Sequence, residues 1–322
     1  MDLDVPFLNG QISDNARLIK SLPTIRLLLE KECKIAIIGH RGRPDGKDEN
    51  LSLRPIYLEL MSLLEPNWEN LIESIFIEEV GDGERLDLSM AKNHIVFLEN
   101  LRFWKGEESN DPDFLKNLVE ISQAYVNDAI TVAHRKHRSI MLYKNLPAFY
   151  GLEFVEEIEK ITQIIENPQK PLTIILGGAK EDKLDGLIKL TEIADHVLIG
   201  GKLPLLVESP KVESLKVIVA ELRKDGFDLS DEDIEAFKAI IAKSKMIIWA
   251  GAMGFFENED CRKGTEEIAK AVANSESYKI IAGGDTGASI VNLGLKDKID
   301  LIASGGGMML ELITKGKLPA WE

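Results

Sequence analysis

Short apolar runs alternate with amphipathic segments along almost the whole chain, and this alternation restricts the fold more than any other feature. Strand-like runs fall at 34–38, 74–77, 94–98, 124–126, 172–176, 196–199, 216–219, 246–249, 279–282 and 301–303. They are rich in β-branched residues and lack strict alternation, as strands covered on both faces do. Between them lie segments with helical spacing of apolar residues, such as Leu18–Lys31, Pro112–Ser122, Asp231–Lys243 and Thr265–Asn274. This order predicts an α/β fold with parallel sheets. The 322 residues suit about two domains. A break is read near Pro147–Gly151. One charged helix follows over Phe154–Glu166, with Ile158, Ile161, Ile164 and Ile165 on its apolar side and a stop at Asn167–Pro168. The charge run 153–160 is read as the solvated face of that helix. The expected organisation is a first domain over 1–152, a linking helix over 153–167, a second domain over 168–303, and a segment over 304–322 returning toward a cleft between the domains, where a ligand site is expected.

Charge narrows the choice of ligand. The chain carries 39 Lys and Arg against 54 Asp and Glu, a net charge of −15. That balance argues against general nucleic-acid or membrane-surface binding. No apolar run approaches a membrane span and the start does not resemble a signal peptide, so a cytoplasmic location is expected. Cys33 and Cys261 lie far apart and are read as core thiols in a reducing compartment. Against this acidic background, cations recur just after the early strand-like runs: His40, Arg41 and Arg43 in GHRGRP, Arg102 in LENLRF, and His134, Arg135, His137 and Arg138 in AHRKHRS. Arg17 in SDNAR joins them. Open α/β sheets bind ligands at the carboxyl ends of their strands, so these loops predict a pocket for a small, highly charged anion. Arg41 is read as a solvated neighbour of Arg43.

The second half carries a different signature. GGAK (177–180), GGDTG (283–287) and SGGG (304–307) each follow a strand-like run and precede a helix-like stretch. Glycine permits close backbone approach to a ligand, and a helix N-terminus offers free N–H groups. Three such turns on one sheet suit a polyphosphate, with Lys180 and Lys183 as cations and Asp285 as a carboxylate for Mg²⁺. Neither GxxxxGK(S/T) nor GxGxxG occurs, which disfavours the common nucleotide loops. A compact-anion site and a nucleotide site together suggest phosphoryl transfer with domain closure.

Taken together, the stretches DLDVPF, ISDNARLIKSLPTI, GHRGRP, SLRPIYLEL, LENLRFWKGEESND, YVNDAITVAHRKHRS, ILGGAKEDK, LIGG, IIWAGAMGFFE, GTEEIA, IIAGGDT and SGGGMMLELITKGKLP make the chain resemble the phosphoglycerate kinase family along nearly its whole length. The resemblance implies two Rossmann-like, three-layer αβα domains, the first for phosphoglycerate and the second for nucleotide. It implies reversible transfer of a phosphoryl group between 1,3-bisphosphoglycerate and ADP, giving 3-phosphoglycerate and ATP in glycolysis. It also implies Mg²⁺ with the nucleotide, and a monomer without nucleic-acid or membrane partners. By motif, it implies that Asp2 and Asp4 hold the substrate and orient the key arginine. Arg17 would bridge the transferred group and the substrate carboxylate, and His40, Arg43, Arg102 and Arg135 would complete the substrate pocket. Lys180 and Lys183 match the nucleotide-phosphate lysines, Glu257 the ribose ligand and Asp285 the metal-linked aspartate. Gly178, Gly201, Gly283, Gly284, Thr286 and Gly306 fall in the implied nucleotide turns.

The chain also departs from the family pattern. It begins at the DLDVP stretch without the strand that normally precedes it, which predicts a gap or an exposed edge in the first sheet. Asp4 stands where Asn is usual and would repel an anion unless a cation compensates. The segment between LIGG and IIWAGAMG is shortened, with Lys202 and Pro204 in a stretch that helps form the adenine pocket. Ala250 and Ala252 stand where Asn and Pro are expected. One residue is missing before Lys183, which predicts its displacement. The end, KLPAWE, lacks the tail that packs back onto the first domain. The alternative reading is a non-catalytic relative that binds phosphoglycerate or nucleotide as a sensor or scaffold. A further one is a true start upstream of Met1.

Overall fold

The computed structural model describes residues 1–64, 72–207 and 215–321, and of Asp182 and Asp285 only the backbone. The chain divides into two compact units, 1–159 with 318–322 and 160–317.

In the first unit, an antiparallel hairpin, β1 (Phe7–Leu8) and β2 (Gln11–Ile12), precedes helix α1 (Ala16–Glu30). Helix α1 buries Leu18, Leu22, Ile25 and Leu29, one stripe at helical spacing, and this stripe offsets the hydrogen bond lost at Pro23 inside it. Strand β3 (Ile35–Ile37), helix α2 (Arg54–Leu64), strand β4 (Ser74–Ile77), helix α3 (Gly83–Lys92) and strand β5 (Ile95–Leu98) follow. The three strands form a parallel sheet in the order β3-β5-β4. Ile95 and Phe97 point to a core shared with α1 and α2, while Val96 and Leu98 point to a second core with Leu86 of α3. Both faces are covered, which is why these strands read as continuous apolar runs.

The short helices α4 (Lys105–Glu108) and α5 (Lys116–Ile121) lead to strand β6 (Tyr125–Asn127), which pairs in parallel with β7 (Ala148–Tyr150) in a separate sheet. The segment read as a break therefore contains a strand. Its three residues, set between Pro147 and Gly151, are too few to show a period. Among the described residues the strands of this unit fall into separate sheets, and the chain start ties their carboxyl ends. The Met1 ammonium donates to Ile38 O beyond β3 (3.0 Å), and the Asp2 carboxylate accepts from the amide (2.9 Å) and hydroxyl (2.5 Å) of Thr131 beyond β6.

Helix α6 (Leu152–Glu166) crosses the division between the units. Glu157 in its charge run is buried, so that run is not wholly a solvated face. The second unit continues with strand β8 (Leu172–Leu176), helix α7 (Leu187–Ile193), strands β9 (His196–Ile199) and β10 (Val217–Val219), helix α8 (Asp231–Ile241) and strand β11 (Met246–Ala250). Helix α9 (Lys263–Asn274), strand β12 (Tyr278–Ala282), helix α10 (Gly284–Asn292), strand β13 (Leu301–Ala303) and helix α11 (Gly306–Lys315) complete it. Helix α8 opens where the Ser230 hydroxyl accepts the Asp233 amide, 3.1 Å away. The strands form one six-stranded parallel sheet in the order β10-β9-β8-β11-β12-β13. In sequence order this is 3-2-1-4-5-6, the doubly wound arrangement, and it reverses between β8 and β11. Ile175, Ile247, Trp249 and Ile281 pack one sheet face against Phe237 of α8, Ile268 and Val272 of α9 and Ile290 of α10.

Residues 306–315 belong to the second unit as α11, so the segment 304–322 does not return as one piece. The left-handed Gly316 (φ 70°) stops that helix. Leu318 and Ala320 are then buried in the first unit, where the Ala320 amide donates to Ala133 O (3.2 Å) and the Trp321 ring meets Tyr150 and Phe154 edge-on. Residues 318–321 thus pack on the first unit because they are apolar. Cys33 is exposed and only Cys261 is buried, which corrects the reading of both as core thiols.

Candidate active site

In the first unit, the expected basic residues sit on loops beyond β3, β5 and β6. Arg17, in the first turn of α1, donates through Nη1 to the Asp4 carbonyl oxygen at 2.6 Å, not to a carboxylate. Asp4 Oδ1 accepts the Gly42 amide at 3.1 Å. Arg102 donates to Gly42 O at 2.6 Å, with its Nε 3.6 Å from Glu108. Its guanidinium is held below its ordinary range first by burial and then by the charge of Arg135, with Arg43 adding to the repulsion and Glu108 and Asp4 opposing it. Arg43 and Arg135 thus each act on Arg102 as neighbouring positive charges, as cations placed to face an anion do. The same field offsets the Asp4 charge, which acts on Arg41 and Arg102.

Two of the neighbouring arginines have other work. Arg41 is buried, lies 3.4 Å over the Phe7 ring and donates to Ser52 O at 2.9 Å, so it braces the hairpin instead of being solvated. Arg138 is buried on Phe114 O and Asn145.

His40 is buried, and its Nε2 lies 2.6 Å from Glu107 Oε1. Glu107, on α4, is fully buried and also accepts from the Ser139 hydroxyl (2.6 Å) and amide (3.1 Å). Burial alone would raise its carboxyl, but the hydrogen bond and charge of His40 and the bonds from Ser139 bring it below its ordinary value. His137 sets its ring edge-on to His40 at 5.4 Å, with Nδ1 3.9 Å from Glu107 Oε1. Burial, followed by the charge of His40, lowers His137 to about 4 against the pull of Glu107, so it is neutral at neutral pH. Glu107 and Ser139 are absent from the sequence-level site. Glu107 is one of three acidic or polar residues in KGEES and only the fold turns it inward.

The second unit forms a glycine cradle where the strand order reverses. Gly177 and Gly178 follow β8, Gly201 lies just beyond β9 and Gly251 follows β11. A Cβ on Gly251 (φ 106°) would lie 2.1 Å from Gly177 O, and one on Gly201 (φ 64°) 2.5 Å from Gly178 N. Only glycine allows these loops to touch. Lys183 Nζ donates to Gly177 O (2.7 Å) and Ala250 O (3.1 Å), so the ammonium is fixed at the switch point despite the shortened motif. The Gly251 amide donates to Thr286 Oγ1 at 2.7 Å, which ties the cradle to the start of α10. Gly283 (φ 100°) faces Gly306 across the ends of β12 and β13, with Gly284 opening α10. Lys180 and Glu257 are exposed on the adjoining loops. The expected metal carboxylate, Asp285, has its backbone in the first turn of α10, and its side chain lies outside the described residues. Gly177, of the GGAK turn, and Gly251, which the sequence reading does not single out, complete the cradle; each is the first residue after a buried strand, which is the available signal.

The model of the family described as phosphoglycerate kinase matches residues 1–211 and 207–317. The phosphoglycerate kinase of Dictyoglomus turgidum is 35% identical over 370 positions, covering 99% of this chain and 92% of the relative. That of Thermosipho africanus is 33% identical over 376 positions with the same coverage. Both alignments are longer than this 322-residue chain, so the relatives carry residues that it lacks within the matched span. The crystal structure of phosphoglycerate kinase from Pyrococcus horikoshii OT3 superposes with a TM-score of 0.79 at 26% identity, covering 100% of this chain and 93% of that one. The enzyme from Coxiella burnetii gives 0.70 at 26% identity, covering 99% and 92%. The chain belongs to the phosphoglycerate kinase family.

Proposed function

We propose that this chain is a working phosphoglycerate kinase, with the acceptor bound by the basic loops of the first unit and the nucleotide by the glycine cradle of the second. The observation that carries this reading is the pair of half-sites of opposite design. One holds Arg102 on Gly42 O, within reach of the Arg43 and Arg135 charges; the other opens glycine backbone and Lys183 at the sheet's switch point.

In the direction of ATP consumption, a carboxylate oxygen of 3-phosphoglycerate attacks the γ-phosphorus of ATP. The bond to the oxygen of the leaving ADP breaks. The nucleophile is already ionised, so no general base is required, and catalysis rests on alignment and charge. Arg17 supplies a planar fork that can meet carboxylate and phosphoryl oxygens together. Its tie to the Asp4 carbonyl leaves the rest of the guanidinium for those anions. His40, Arg43, Arg102 and Arg135 hold phosphoglycerate, and Asp2 fixes the loop at Thr131 that leads to Arg135. Lys180, Lys183 and the amides around Gly178, Gly201, Gly283, Gly284, Thr286 and Gly306 receive the nucleotide phosphates, and Glu257 the ribose. Phe227 and Phe255 are exposed with ring centroids 6.4 Å apart, and Lys202 Nζ lies 5.6 Å from the Phe227 ring, a surface suited to the base. Mg²⁺ keeps phosphate and water ligands and needs few protein oxygens, so an aspartate at sequence position 285 would be enough to hold it. When bound, the ion neutralises phosphate charge.

Steady-state kinetics of Arg17→Ala test the assignment. We expect kcat to fall roughly 10²–10³-fold, with a much smaller change in KM for 3-phosphoglycerate. A near-normal kcat would remove Arg17 from this role.

A further inference from the structure

We propose that Glu107 is a positioning residue of the acceptor half-site: a buried carboxylate that fixes the ring and the Nε2 proton of His40 and so presents Nδ1 to the substrate. The inference rests on the reading that places His40 in the phosphoglycerate pocket.

The argument starts from cost. A carboxylate with no exposed surface loses its hydration, at a large cost unless hydrogen bonds replace it. Glu107 has that burial, and its three bonds come from His40 and from both donors of Ser139. An apolar residue would close the same space without that cost. What the carboxylate adds is a directional acceptor for His40. His40 meets both Glu107 (2.6 Å) and Ser139 (3.5 Å) through Nε2, so Nδ1 is the nitrogen left for a ligand. A partner on one imidazole nitrogen sets what the other offers.

The bonds also join three loops. Glu107 follows Arg102 beyond β5, His40 precedes Arg43 beyond β3, and Ser139 follows Arg135 beyond β6. One carboxylate therefore holds together the segments that carry three of the pocket's cations. Ligand atoms of His40, Glu107 and His137 lie within 4.8 Å of one another, a grouping that could suggest a metal. The 2.6 Å separation of His40 and Glu107 is that of a direct hydrogen bond, shorter than two ligands of one ion would stand apart, and Arg102 and Arg135 act on His137 as further positive charges. Both facts favour a proton network.

The test is a double-mutant cycle on KM for 3-phosphoglycerate with Glu107→Gln, His40→Ala and the pair. Glu107→Gln keeps the shape and removes the charge. We expect it to raise KM roughly tenfold with kcat and the KM for MgATP little changed. The two effects should be clearly less than additive in the double variant, because Glu107 acts largely through His40. Full additivity, or a normal KM in Glu107→Gln beside a raised KM in His40→Ala, overturns the positioning role and leaves the pocket standing. A normal KM in His40→Ala overturns the pocket reading itself, and the inference with it. Should Glu107→Gln fail to fold, ¹⁵N NMR of the wild-type imidazoles decides. The expected result is a protonated His40 Nε2, with Nδ1 the nitrogen that responds to 3-phosphoglycerate. A response at Nε2 overturns the proposal.

Discussion

At position 4 only the acceptor half of an amide is used. Asp4 Oδ1 accepts the Gly42 amide, so a carboxylate serves where asparagine was expected, and nearby arginines absorb its charge. That Arg43, Arg102 and Arg135 stand on loops beyond buried strands was legible, because the apolar runs before them mark those strands. The separate roles of Arg41 and Arg138 were not, since Phe7, Phe114 and Asn145 meet them only through tertiary folding. His137 belongs to the same class and makes a testable contribution. The unfolded chain takes up its proton near pH 6.5, whereas the folded chain does so only near 4. Across that window the unfolded state binds more protons, so this group makes stability rise with pH and fall on acidification from about 6.5 to about 4. Urea denaturation of the wild type and His137→Gln over this range should show a shallower acid loss in the variant. Parallel curves would contradict a neutral buried imidazole.

Elements were easiest to read where both faces are buried. All ten apolar runs are strands, because packing on two sides leaves an unbroken apolar signal. The β1–β2 hairpin and β7 gave none, being two or three residues long and only partly covered. Residues 318–321 gave none for a related reason: so few apolar residues have no period. Their contribution can be measured. Deleting residues 318–322 removes the buried Leu318 and Ala320 and the Trp321 contacts with Tyr150 and Phe154. A loss of about 3 kcal/mol in the first unit is expected, seen as a lower urea midpoint. An unchanged midpoint would show that the segment does not brace this unit.

For the whole molecule, the doubly wound order of the second unit explains why its glycines converge. Loops beyond β8 and β11 leave the sheet in opposite directions, and the crevice at that point is where Gly177, Gly178, Gly251 and Lys183 meet. The glycine clusters were visible in the sequence, but their convergence depends on strand order, which no local pattern encodes. Despite the shortened nucleotide half and the substitutions at Asp4, Ala250 and Ala252, Lys183 meets the Gly177 and Ala250 carbonyls and Asp4 accepts the Gly42 amide. Among the described residues no helix is long and apolar enough to cross a membrane. The central claim is that these two half-sites perform phosphoryl transfer. The direct measurement is ADP formation by the purified protein from MgATP in a coupled assay, with and without 3-phosphoglycerate. The account predicts sustained turnover that requires 3-phosphoglycerate and falls sharply in Arg17→Ala. A folded protein that binds both ligands and shows no 3-phosphoglycerate-dependent ADP would contradict it and establish a binding protein in place of an enzyme.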